Sequence, residues 1–353
     1  MKKTPKTYKE AGVDVSALRK IHEHFKKVYN IKETKKAEFK PVLQIGHYAG
    51  VLEFGDHYFA FHVDGVGTKI LVAQKMNYYE TIGYDCVAMG VNDIICIGAK
   101  PVAFMDYLVI EKYNKKLINE IAKGISKAAE ESNVYVIGGE TAMMPEIIKG
   151  ARANYGFDLV GITFGYLKKE DLIDGSKIKK GDVIVGLESS GIHSNGYTLA
   201  RKILLERYSL TEKIEGFESI LGEELLRATR IYVKPILEAK EKCEIHGIAH
   251  ITGGAFTKLL RLAKFKNLGF MLDNMPPMPP IFKLIMKEGD ISATEMYRTF
   301  NCGIGMCVLT PKDYADDIIS ISEKYKIKAH IIGKVIDEYG VFVRYKGRKL
   351  VLI

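Results

Sequence analysis

The sequence contains no tryptophan and only five cysteines and ten prolines among its 353 residues. The cysteines form no CxxC pair and no metal-finger spacing, which excludes a zinc-finger or disulfide-framework protein and favours a reducing cytoplasm. No apolar run is long enough to cross a bilayer, and no apolar segment follows the charged start MKKTPKTYKE as an export signal would require. We therefore expect a cytoplasmic protein that has no membrane partner.

Basic residues exceed acidic ones, 52 against 43, and give a formal net charge of +9. They are spread along the chain among acids and are densest at 25–40, FKKVYNIKETKKAEFK, where aromatic residues separate the lysines. That stretch keeps single-stranded RNA binding open as an alternative. Scattered lysines more often serve solubility, and a positive surplus also suits phosphorylated metabolites. The interpretation that we favour has no nucleic-acid partner.

The length of the chain predicts two domains, since one core rarely serves more than about 200 residues. The charged, glycine-containing stretch YLKKEDLIDGSKIKKGD at 166–182 separates two segments that both look globular. We place the domains at 1–168 and 169–353. Hydrophobic residues at 47% and charged residues at 27% are typical of soluble globular proteins.

Strand and helix patterns alternate in both domains and predict an α/β (α+β) protein. The first domain has strand patterns at 57–66, 102–110 and 134–141, and helix patterns at 80–101 and 115–132. The second has a strand at 183–191, helices at 197–208, 222–242 and 316–327, and a closing hairpin at 341–353. We expect Pro235 to kink or interrupt the helix at 222–242.

The stretch HVDGVGTKI at 62–70 places an acid, two glycines and a lysine within six residues. It is not a Walker A motif, which needs G-x-x-x-x-G-K-[ST]. Asp64 can hold a hard cation, the bare backbone of Gly65 and Gly67 can present N–H groups to an anion, and Lys69 can offset phosphate charge. The simpler interpretation is a tight turn with a capping aspartate.

Three further acids in the first domain lie in apolar or glycine-rich surroundings. Asp93 follows Asn92 in AMGVNDIICIG, Asp106 interrupts an apolar strand, and Glu140 follows two glycines at the predicted end of a strand. A carboxylate in such a place is costly unless it is paired or bound to a cation. Each alone is typical of a cap or an ion pair, but together with Asp64 they favour a Mg²⁺ site.

Three loops of the second domain are rich in hydrogen-bonding residues: SSGIHSNGY at 189–197, AHITGGAF at 249–256 and MYRTFNCGIG at 296–305. Such turns can present donors to a phosphate or a sugar. A single histidine is more often a structural residue than a catalytic one, so the pattern leaves the role of His250 open. Cys302 has no base nearby in sequence, which favours a packing role.

In order, these segments resemble the phosphoribosylformylglycinamidine cyclo-ligase family, the aminoimidazole ribonucleotide (AIR) synthetases, within a wider ATP-using superfamily. The resemblance covers nearly the whole chain and is carried by YKEAGVDV, DGVGTK, VNDI, GGETAMMP, the run from Asp174 to Arg201, ATRIYVK, IAHITGG and EMYRTFNCGIGM. The chain departs from the family pattern at Ala255, where a third glycine is common, and at LQIGHYAGVL, which is poorer in glycine.

The resemblance implies a two-domain AIR synthetase-like fold and a homodimer whose N-terminal domains share a β-barrel. It implies ATP-dependent ring closure of formylglycinamidine ribonucleotide to 5-aminoimidazole ribonucleotide, ADP and phosphate in de novo purine biosynthesis. In that reaction the formyl oxygen is phosphorylated and the ribosyl-bearing nitrogen then attacks the activated carbon. The implied cofactors are ATP and Mg²⁺, and a monovalent cation is an option.

The resemblance also implies residue roles. ATP would be bound by Asp64, Gly65, Gly67, Thr68, Lys69, Asn92, Gly139, Glu140 and Thr141. Mg²⁺ would be bound by Asp64, Asp93 and Glu140. The phosphoribosyl substrate would be bound by His193, Ser194, Asn195, His250, Thr252, Gly253, Gly254, Arg298 and Asn301. The catalytic residues would be His250, Lys69 and Asp93, with His250 favoured over His193 as the proton acceptor.

Two alternatives remain beside this interpretation. One is another enzyme of the superfamily, similar to thiamine-phosphate kinase or to the formylglycinamide ribonucleotide amidotransferase. A selenophosphate synthetase would need a reactive cysteine before Cys86, and a hydrogenase maturation factor would end in cysteine, whereas this chain ends KLVLI. The other is a basic RNA-binding protein, whose affinity would fall steeply with salt.

Overall fold

The computed structural model describes residues 4–28, 39–43, 45–263 and 267–353. Most of the basic stretch at 25–40 lies outside the described residues, so the structure adds nothing to the RNA-binding alternative. The described strands form two sheets, one of six strands and one of seven. In the described part of the chain, no helix combines the length and apolarity that a membrane span requires.

The first sheet and its helices occupy residues before 169. Their bounds are α1 Val15–Val28, β1 Lys40–Pro41, β2 Gly50–Phe54, β3 His57–Gly65, α2 Ile70–Met76, α3 Glu80–Ile95, β4 Lys100–Ile110, α4 Lys115–Ser132, β5 Tyr135–Met143 and β6 Phe157–Lys168. The strand order is β1-β2-β3-β6-β4-β5. Among the described strands of this sheet, only β4 and β5 pair in parallel, because α4 carries the chain back between them.

Helix α4 shows why the periodic sequence at 115–132 is helical. Asn114 caps its first turn by accepting the N–H of Leu117 at 3.1 Å, and Asn133 ends it with a left-handed φ of 54°. The face that carries Leu117 and Ile121 is buried against the domain core. The prediction of an amphipathic helix over these residues is confirmed.

The second sheet and its helices follow. Their bounds are β7 Val183–Glu188, α5 Tyr197–Leu204, α6 Leu221–Leu225, α7 Val233–Lys242, β8 Gly247–His250, β9 Gly269–Leu272, α8 Pro280–Glu288, α9 Ala293–Thr299, β10 Ile304–Thr310, α10 Ala315–Lys324, β11 Ala329–Ile336, β12 Gly340–Tyr345 and β13 Arg348–Val351. The strand order is β13-β12-β9-β11-β7-β10-β8. The predicted closing hairpin is confirmed: Lys346 and Gly347 both have positive φ, 47° and 78°, as a two-residue hairpin turn requires.

The single helix predicted at 222–242 is wrong. Helix α6 ends at Leu225 and α7 begins at Val233, and the residues between them form a non-helical segment, 226–232. Pro235 lies in the first turn of α7, where a proline interrupts no intrahelical hydrogen bond. The backbone of the 226–232 segment is instead bound by side chains of the first domain, as the site geometry shows.

The strand predicted at 134–141 extends further than expected. Strand β5 continues to Met143, so Gly138 and Gly139 lie inside it and Glu140 does not follow its end. Gly139 is opposite Asp106 of β4, and a Cβ atom on Gly139 would lie 2.5 Å from Oδ1 of that aspartate. The glycine is therefore needed because the Asp106 side chain fills the space beside it.

Candidate active site

Helix α3 presents a row of buried polar side chains to the second domain. Asn92 and Asp93 follow Asp85 by seven and eight residues, which places all three on one face of the helix. All three are at most 3% exposed. Buried polar groups need partners, and most of the partners here come from residues beyond 190.

Asp93 contacts two histidines from different domains. Its Oδ1 lies 2.6 Å from Nδ1 of His250, at the end of β8, and its Oδ2 lies 3.5 Å from Nε2 of His62 on β3. The carboxylate holds the proton on Nδ1 of His250 and leaves Nε2 as the basic nitrogen. Burial lowers the pKa of His250 despite the raising effect of Asp93, so the ring is neutral at pH 7.

The Asp93 carboxylate stays ionised in this buried place. Burial alone would raise its pKa, but the charges of His62 and Lys258 and the hydrogen bond from His250 together hold the pKa well below the usual aspartate range. The pKa of Asp64 is raised, first by burial and then by the like charge of Asp93. We call the space beside Asp64 and Asp93 the cleft. Two carboxylates that repel each other there form a place that a cation would stabilise.

Asp64 and Asp106 lie in one row across the first sheet. Asp64 of β3 is opposite Gly161 of β6, Gly161 is opposite Asp106 of β4, and Asp106 is opposite Gly139 of β5. Residues that are opposite in register point to the same face, so the two carboxylates share a face about 9–10 Å apart, measured between Cα atoms. The glycines leave the backbone bare on either side of Asp106.

The loop after β3 contacts the serine- and histidine-rich loop of the second domain. Gly67 has a φ of 64°, and a Cβ atom there would lie 3.5 Å from the carbonyl oxygen of Ser194. The hydroxyl of Thr68 lies 3.0 Å from that of Thr198 in α5. Beside them, Gly65 donates its N–H to Oδ1 of Asp64 at 2.8 Å. The structure thus brings together the first-domain loop at 62–70 and the second-domain loop at 189–197.

His193 is buried in that second-domain loop with a left-handed φ of 67°. Its Nε2 accepts the N–H of Ser190 at 3.3 Å, and its ring lies 6.4 Å from that of His250. Burial, followed by the charge of His250, lowers the pKa of His193 well below the usual histidine value. The ring is therefore neutral at pH 7, with Nε2 already used as a backbone acceptor.

The loops at 189–197 and 249–256 also pack together. A Cβ atom on Gly253 would lie 2.9 Å from Oδ1 of Asn195. The Nδ2 of Asn195 is buried, and within the described ranges no group accepts a hydrogen bond from it. Ser194 Oγ lies 3.0 Å from Oγ1 of Thr229. An unused amide donor beside a bare glycine is a feature of a place where a polar ligand group can bind.

Ala255 occupies the position where the family pattern has a third glycine. Its φ is 44° and it is fully buried, directly after Gly254 with a φ of 85°. The left-handed conformation costs a residue with a side chain about 1 kcal/mol, so the chain keeps the glycine-like turn at some strain. Thr252 at the start of this turn accepts a hydrogen bond from Nζ of Lys258.

The contacts of Lys69 do not support the predicted role in neutralising phosphate charge. Its ammonium is fully buried, lies 2.7 Å from Oδ2 of Asp85 and donates to the carbonyl oxygen of Arg227 at 2.6 Å. Oδ1 of Asp85 accepts the N–H of Thr229 at 2.6 Å. The Lys69–Asp85 ion pair therefore binds the 226–232 segment to the first domain and does not face the cleft.

Asn92, a predicted ATP-binding residue, contacts the backbone of the second domain. Its Nδ2 donates to the carbonyl oxygen of Arg230 at 2.8 Å, and its Oδ1 accepts the N–H of Tyr232 at 2.9 Å. Both ends of the amide are thus used by the 226–232 segment. The Nδ2 atom also lies 3.5 Å from Nε2 of His250. These contacts do not support the predicted role of Asn92 in binding ATP, which stays a prediction.

Two predicted substrate-binding residues of the second domain are also engaged elsewhere. Arg298 in α9 donates from Nε to the carbonyl oxygen of Leu352 at 2.6 Å and so holds the C-terminal residues. Asn301 donates from Nδ2 to the carbonyl oxygen of Gly191 at 2.9 Å, and its Oδ1 accepts the N–H of Gly303 at the same distance. Asn301 therefore shapes the 189–197 loop from behind, and the predicted substrate contacts of both residues stay predictions.

Within the described residues, the three side chains of the predicted magnesium centre, Asp64, Asp93 and Glu140, are not brought together. Glu140 directly follows Gly139, so its side chain projects to the opposite face of the sheet from Asp64. It is exposed, and its Oε1 accepts the N–H of the neighbouring Thr141 at 2.7 Å. Among the residues that the structure describes, no group of three or more His, Cys, Asp or Glu side chains can hold a metal ion.

Two family models match this chain. The model described as AIR synthase related protein, N-terminal domain, matches residues 46–165, and the model of the C-terminal domain of the same family matches residues 179–346. The chain belongs to the AIR synthase related family. The expected two-domain AIR synthetase-like fold is thereby confirmed.

Among relatives of this AIR synthase family member, the phosphoribosylformylglycinamidine cyclo-ligase of Methanococcus vannielii is 44% identical, over 98% of this chain and 99% of the relative. The enzyme of the same name from Pyrococcus furiosus is 43% identical over the same shares of both chains. Both relatives align with this chain along almost their whole length, so the similarity includes the two domains and the loops between them.

Solved structures share the fold of this chain at low sequence identity. The structure titled AaThiL complexed with AMPPCP and TMP has a TM-score of 0.65 at 16% identity, and covers 96% of both chains. The structure titled T. maritima PurL complexed with ADP has a TM-score of 0.60 at 18% identity, over 88% of this chain and 45% of the other. These similarities establish the fold of the chain.

Sequence reasoning missed three residues of this AIR synthase site: His62, Asp85 and Lys258. The position of Asp85 seven residues before Asn92 was a usable signal, since it predicts that both lie on the same helix face. His62 alternates with Asp64 on β3 and therefore shares its side of the sheet. Lys258 follows Thr252 by six residues in a short 3₁₀ helix, a spacing that carries no signal by itself.

Proposed function

We propose that this chain catalyses the ATP-dependent ring closure of formylglycinamidine ribonucleotide to 5-aminoimidazole ribonucleotide, with ADP and phosphate as co-products, in de novo purine biosynthesis. Two relatives of 44% and 43% identity, matched along nearly their full length, carry the name of this cyclo-ligase. The structural observation that supports the proposal best is the buried contact between Asp93 of one domain and His250 of the other, beside Asp64.

The reaction consists of a phosphoryl transfer and a ring closure. The bond between the γ-phosphorus of ATP and its bridging oxygen breaks, ADP leaves with the electron pair, and the formyl oxygen bonds to phosphorus. The ribosyl-bearing nitrogen then attacks the formyl carbon, the carbon–oxygen bond breaks, and phosphate leaves with its electrons. Protons are released from substrate nitrogens. Such steps need alignment and charge stabilisation more than covalent help from the protein.

We assign the proton acceptor to His250. Its Nδ1 hydrogen is held by Asp93 at 2.6 Å, so Nε2, which lies 3.5 Å from Nδ2 of Asn92, carries the lone pair, and burial keeps the ring neutral at pH 7. A neutral imidazole with a fixed tautomer is suited to general-base catalysis. His193 has a positioning role in this proposal, because its Nε2 already accepts a backbone N–H.

Mg²⁺ belongs to the proposal with Asp64 and Asp93 as its protein ligands. Carboxylate oxygens are the donors that Mg²⁺ prefers, and it usually takes its remaining ligands from substrate phosphates and water. The like-charge repulsion between these two side chains supports a cation in the cleft. When bound, Mg²⁺ neutralises triphosphate charge. A monovalent cation stays a prediction.

The remaining predicted binding residues fall into two groups, one for ATP and one for the phosphoribosyl substrate. For ATP we retain Gly65, Gly67, Thr68, Gly139 and Thr141, which have a bare backbone or a hydroxyl group in or beside the cleft. For the phosphoribosyl substrate we retain Ser194, Asn195, Thr252, Gly253 and Gly254. The buried amide of Asn195, which lacks a described acceptor, supports that second assignment.

We also propose a homodimer formed through the open face of the first sheet. Phe61 and Val63 of β3 are 42% and 63% exposed on that face, and Ile137 of the edge strand β5 is 62% exposed. An apolar sheet face with an unpaired edge is stabilised when a second copy covers it.

The proposal also keeps the domain boundary between residues 168 and 169. It keeps a cytoplasmic location, and the five free cysteines support that location.

The test is incubation of the purified chain with formylglycinamidine ribonucleotide, ATP and Mg²⁺. We expect ADP and the aminoimidazole product to form in equal amounts, and chromatography measures both products. ADP formation without the aminoimidazole, or no turnover at all, would contradict the proposal. Thiamine phosphate in place of the ribonucleotide serves as the control, and turnover with it would favour the kinase-like alternative.

A further inference from the structure

The cleft needs a cation from the protein, and Lys69 does not supply it. A transferring phosphoryl group carries negative charge on its equatorial oxygens, and enzymes of this chemistry place a lysine or arginine against them. The ammonium of Lys69 is fully buried between Asp85 and the carbonyl oxygen of Arg227. Another basic side chain must therefore face the cleft.

Lys258 is placed to do this. It lies in the 3₁₀ helix Ala255–Arg261, which directly follows the Thr252–Gly254 turn, and its Nζ donates to Oγ1 of Thr252. The same Nζ lies 5.7 Å from the ring centre of Tyr48. Thr252 is two residues from His250, which contacts Asp93, so this hydrogen bond places the ammonium beside the site. The side chain is partly exposed, as are Asp64 and His62.

The charge environment of Lys258 matches that of the site. Burial lowers its pKa, and the carboxylates of Asp93 and Asp64 raise it, so the ammonium interacts with both candidate metal ligands. Within the described ranges it nevertheless forms no ion pair closer than 4.0 Å. An ammonium has three N–H donors, and the described contacts of Lys258 use one of them, on Thr252.

We propose that Lys258 is the cation that binds the γ-phosphoryl group of ATP during its transfer to the formyl oxygen, with Thr252 holding the ammonium in place beforehand. This inference rests on the proposed function. As the bond to the bridging oxygen of ADP breaks and the bond to the formyl oxygen forms, the ammonium donates to the equatorial oxygens of the phosphoryl group. It takes part in no bond change and neither gains nor loses a proton.

The test compares Lys258→Met and Lys258→Arg with the wild-type chain and with the control Lys240→Met. Lys240 is a partly buried lysine of α7 that donates to the carbonyl oxygen of Gly98 at 2.7 Å and pairs with Asp171 at 3.1 Å, and neither partner is a site residue. Removing one stabilising donor from a transition state typically lowers kcat by about 10²–10³-fold. We expect that loss for Lys258→Met, partial recovery for Lys258→Arg, and near wild-type turnover for Lys240→Met.

A second measurement separates this role from a structural one. ADP lacks the γ-phosphoryl group, so its affinity, measured by calorimetry, should be unchanged in Lys258→Met while kcat falls. Equal losses of ADP affinity and kcat, or wild-type kcat in Lys258→Met, would overturn the inference. If the wild-type chain forms no aminoimidazole, the proposed function itself fails, which is a distinguishable result.

Discussion

At the scale of single residues, the site depends on a histidine whose tautomer is fixed by a carboxylate. We expect His250→Gln to slow ring closure by about 10²–10⁴-fold, because a general base contributes about that factor. The affinity for ATP should change little, since the proposed nucleotide contacts other than Lys258 lie on the other domain. Single-turnover kinetics with calorimetric ATP titration measures both quantities. The exposed His57 provides the control variant His57→Gln, and an unchanged rate in His250→Gln would refute the proton role.

The buried ion pair of Lys69 leads to a prediction about stability. Lys69→Met leaves the Asp85 carboxylate buried without its cation, which typically costs about 3–5 kcal/mol. The matched control is Lys349→Met, because Lys349 pairs with Glu338 at 2.5 Å on the surface, where such pairs contribute less than about 1 kcal/mol. Urea unfolding of both variants measures the difference. Equal losses in the two variants would contradict the structural role of Lys69.

At this scale, the sequence predicts which residues belong to the candidate site, but it does not predict their hydrogen-bond and ion-pair partners. The sequence indicated that Asp93 and His250 matter, but their contact spans 157 positions and depends on how α3 meets β8. The position of Lys69 at the end of a glycine-containing loop predicts that it neutralises phosphate charge. Its actual partner, Asp85, is recognisable only once the 226–232 segment is known to pack against α3 and exclude water from the pair.

At the scale of elements, helices α3 and α4 pack against each other at two glycines, Gly83 and Gly124. A Cβ atom on Gly124 would lie 1.9 Å from the carbonyl oxygen of Glu80, and one on Gly83 would lie 2.1 Å from that of Ile121. The two backbones are therefore in direct contact, and this contact sets the position of the helix that carries Asp93. Neither helix pattern predicts this crossing from sequence alone.

We expect Gly124→Ala to destabilise the protein by about 1–3 kcal/mol, because overpacking outweighs the roughly 1 kcal/mol of helix propensity that alanine adds. The shift of α3 should also lower turnover. The control is Gly138→Ala in β5, where a Cβ atom meets nothing within 4 Å. Thermal unfolding and steady-state turnover measure both effects, and a stabilised Gly124→Ala variant would contradict the close crossing.

Elements with strong local signals were predictable, and those set by distant contacts were not. The period of 115–132 and the Lys346-Gly347 turn each determine a structure within a few residues. The predicted helix at 222–242 failed because side chains of the first domain, Asp85 and Asn92 among them, satisfy the backbone of 226–232 better than another helical turn would. Such competition lies outside any local pattern.

At the scale of the whole molecule, buried His193 should make stability depend on pH. Its pKa is lowered in the folded state, so below about 6.5 the unfolded chain binds a proton that the folded chain does not. This contribution is complete above pH 6.5 and falls by up to about 1.4 kcal/mol per pH unit below it. His193→Asn, which tolerates the positive φ, should reduce the slope of unfolding free energy against pH by that amount, as urea titrations between pH 7.5 and 5.5 would measure. An identical slope would contradict the prediction.

The proposed dimer leads to a second prediction for the whole molecule. Val63→Asp places a charge on the open sheet face, and burying it against a second copy would be costly, so we expect monomers. The control is Val351→Asp, a similarly exposed valine (55%) on β13 of the second sheet. Light scattering coupled to size exclusion measures the mass of each variant. A wild-type monomer, or a dimer in both variants, would contradict the proposed face.

The contact between Asp93 and His250 has a consequence for how the chain can be divided. Each domain carries one member of this acid–histidine pair, so neither piece expressed by itself would hold a complete reaction centre. Two separately produced polypeptides, split in the 166–182 stretch, would regain turnover only by docking α3 against β8. Complementation in such a mixture would turn catalysis into a direct reporter of how the two halves recognise each other.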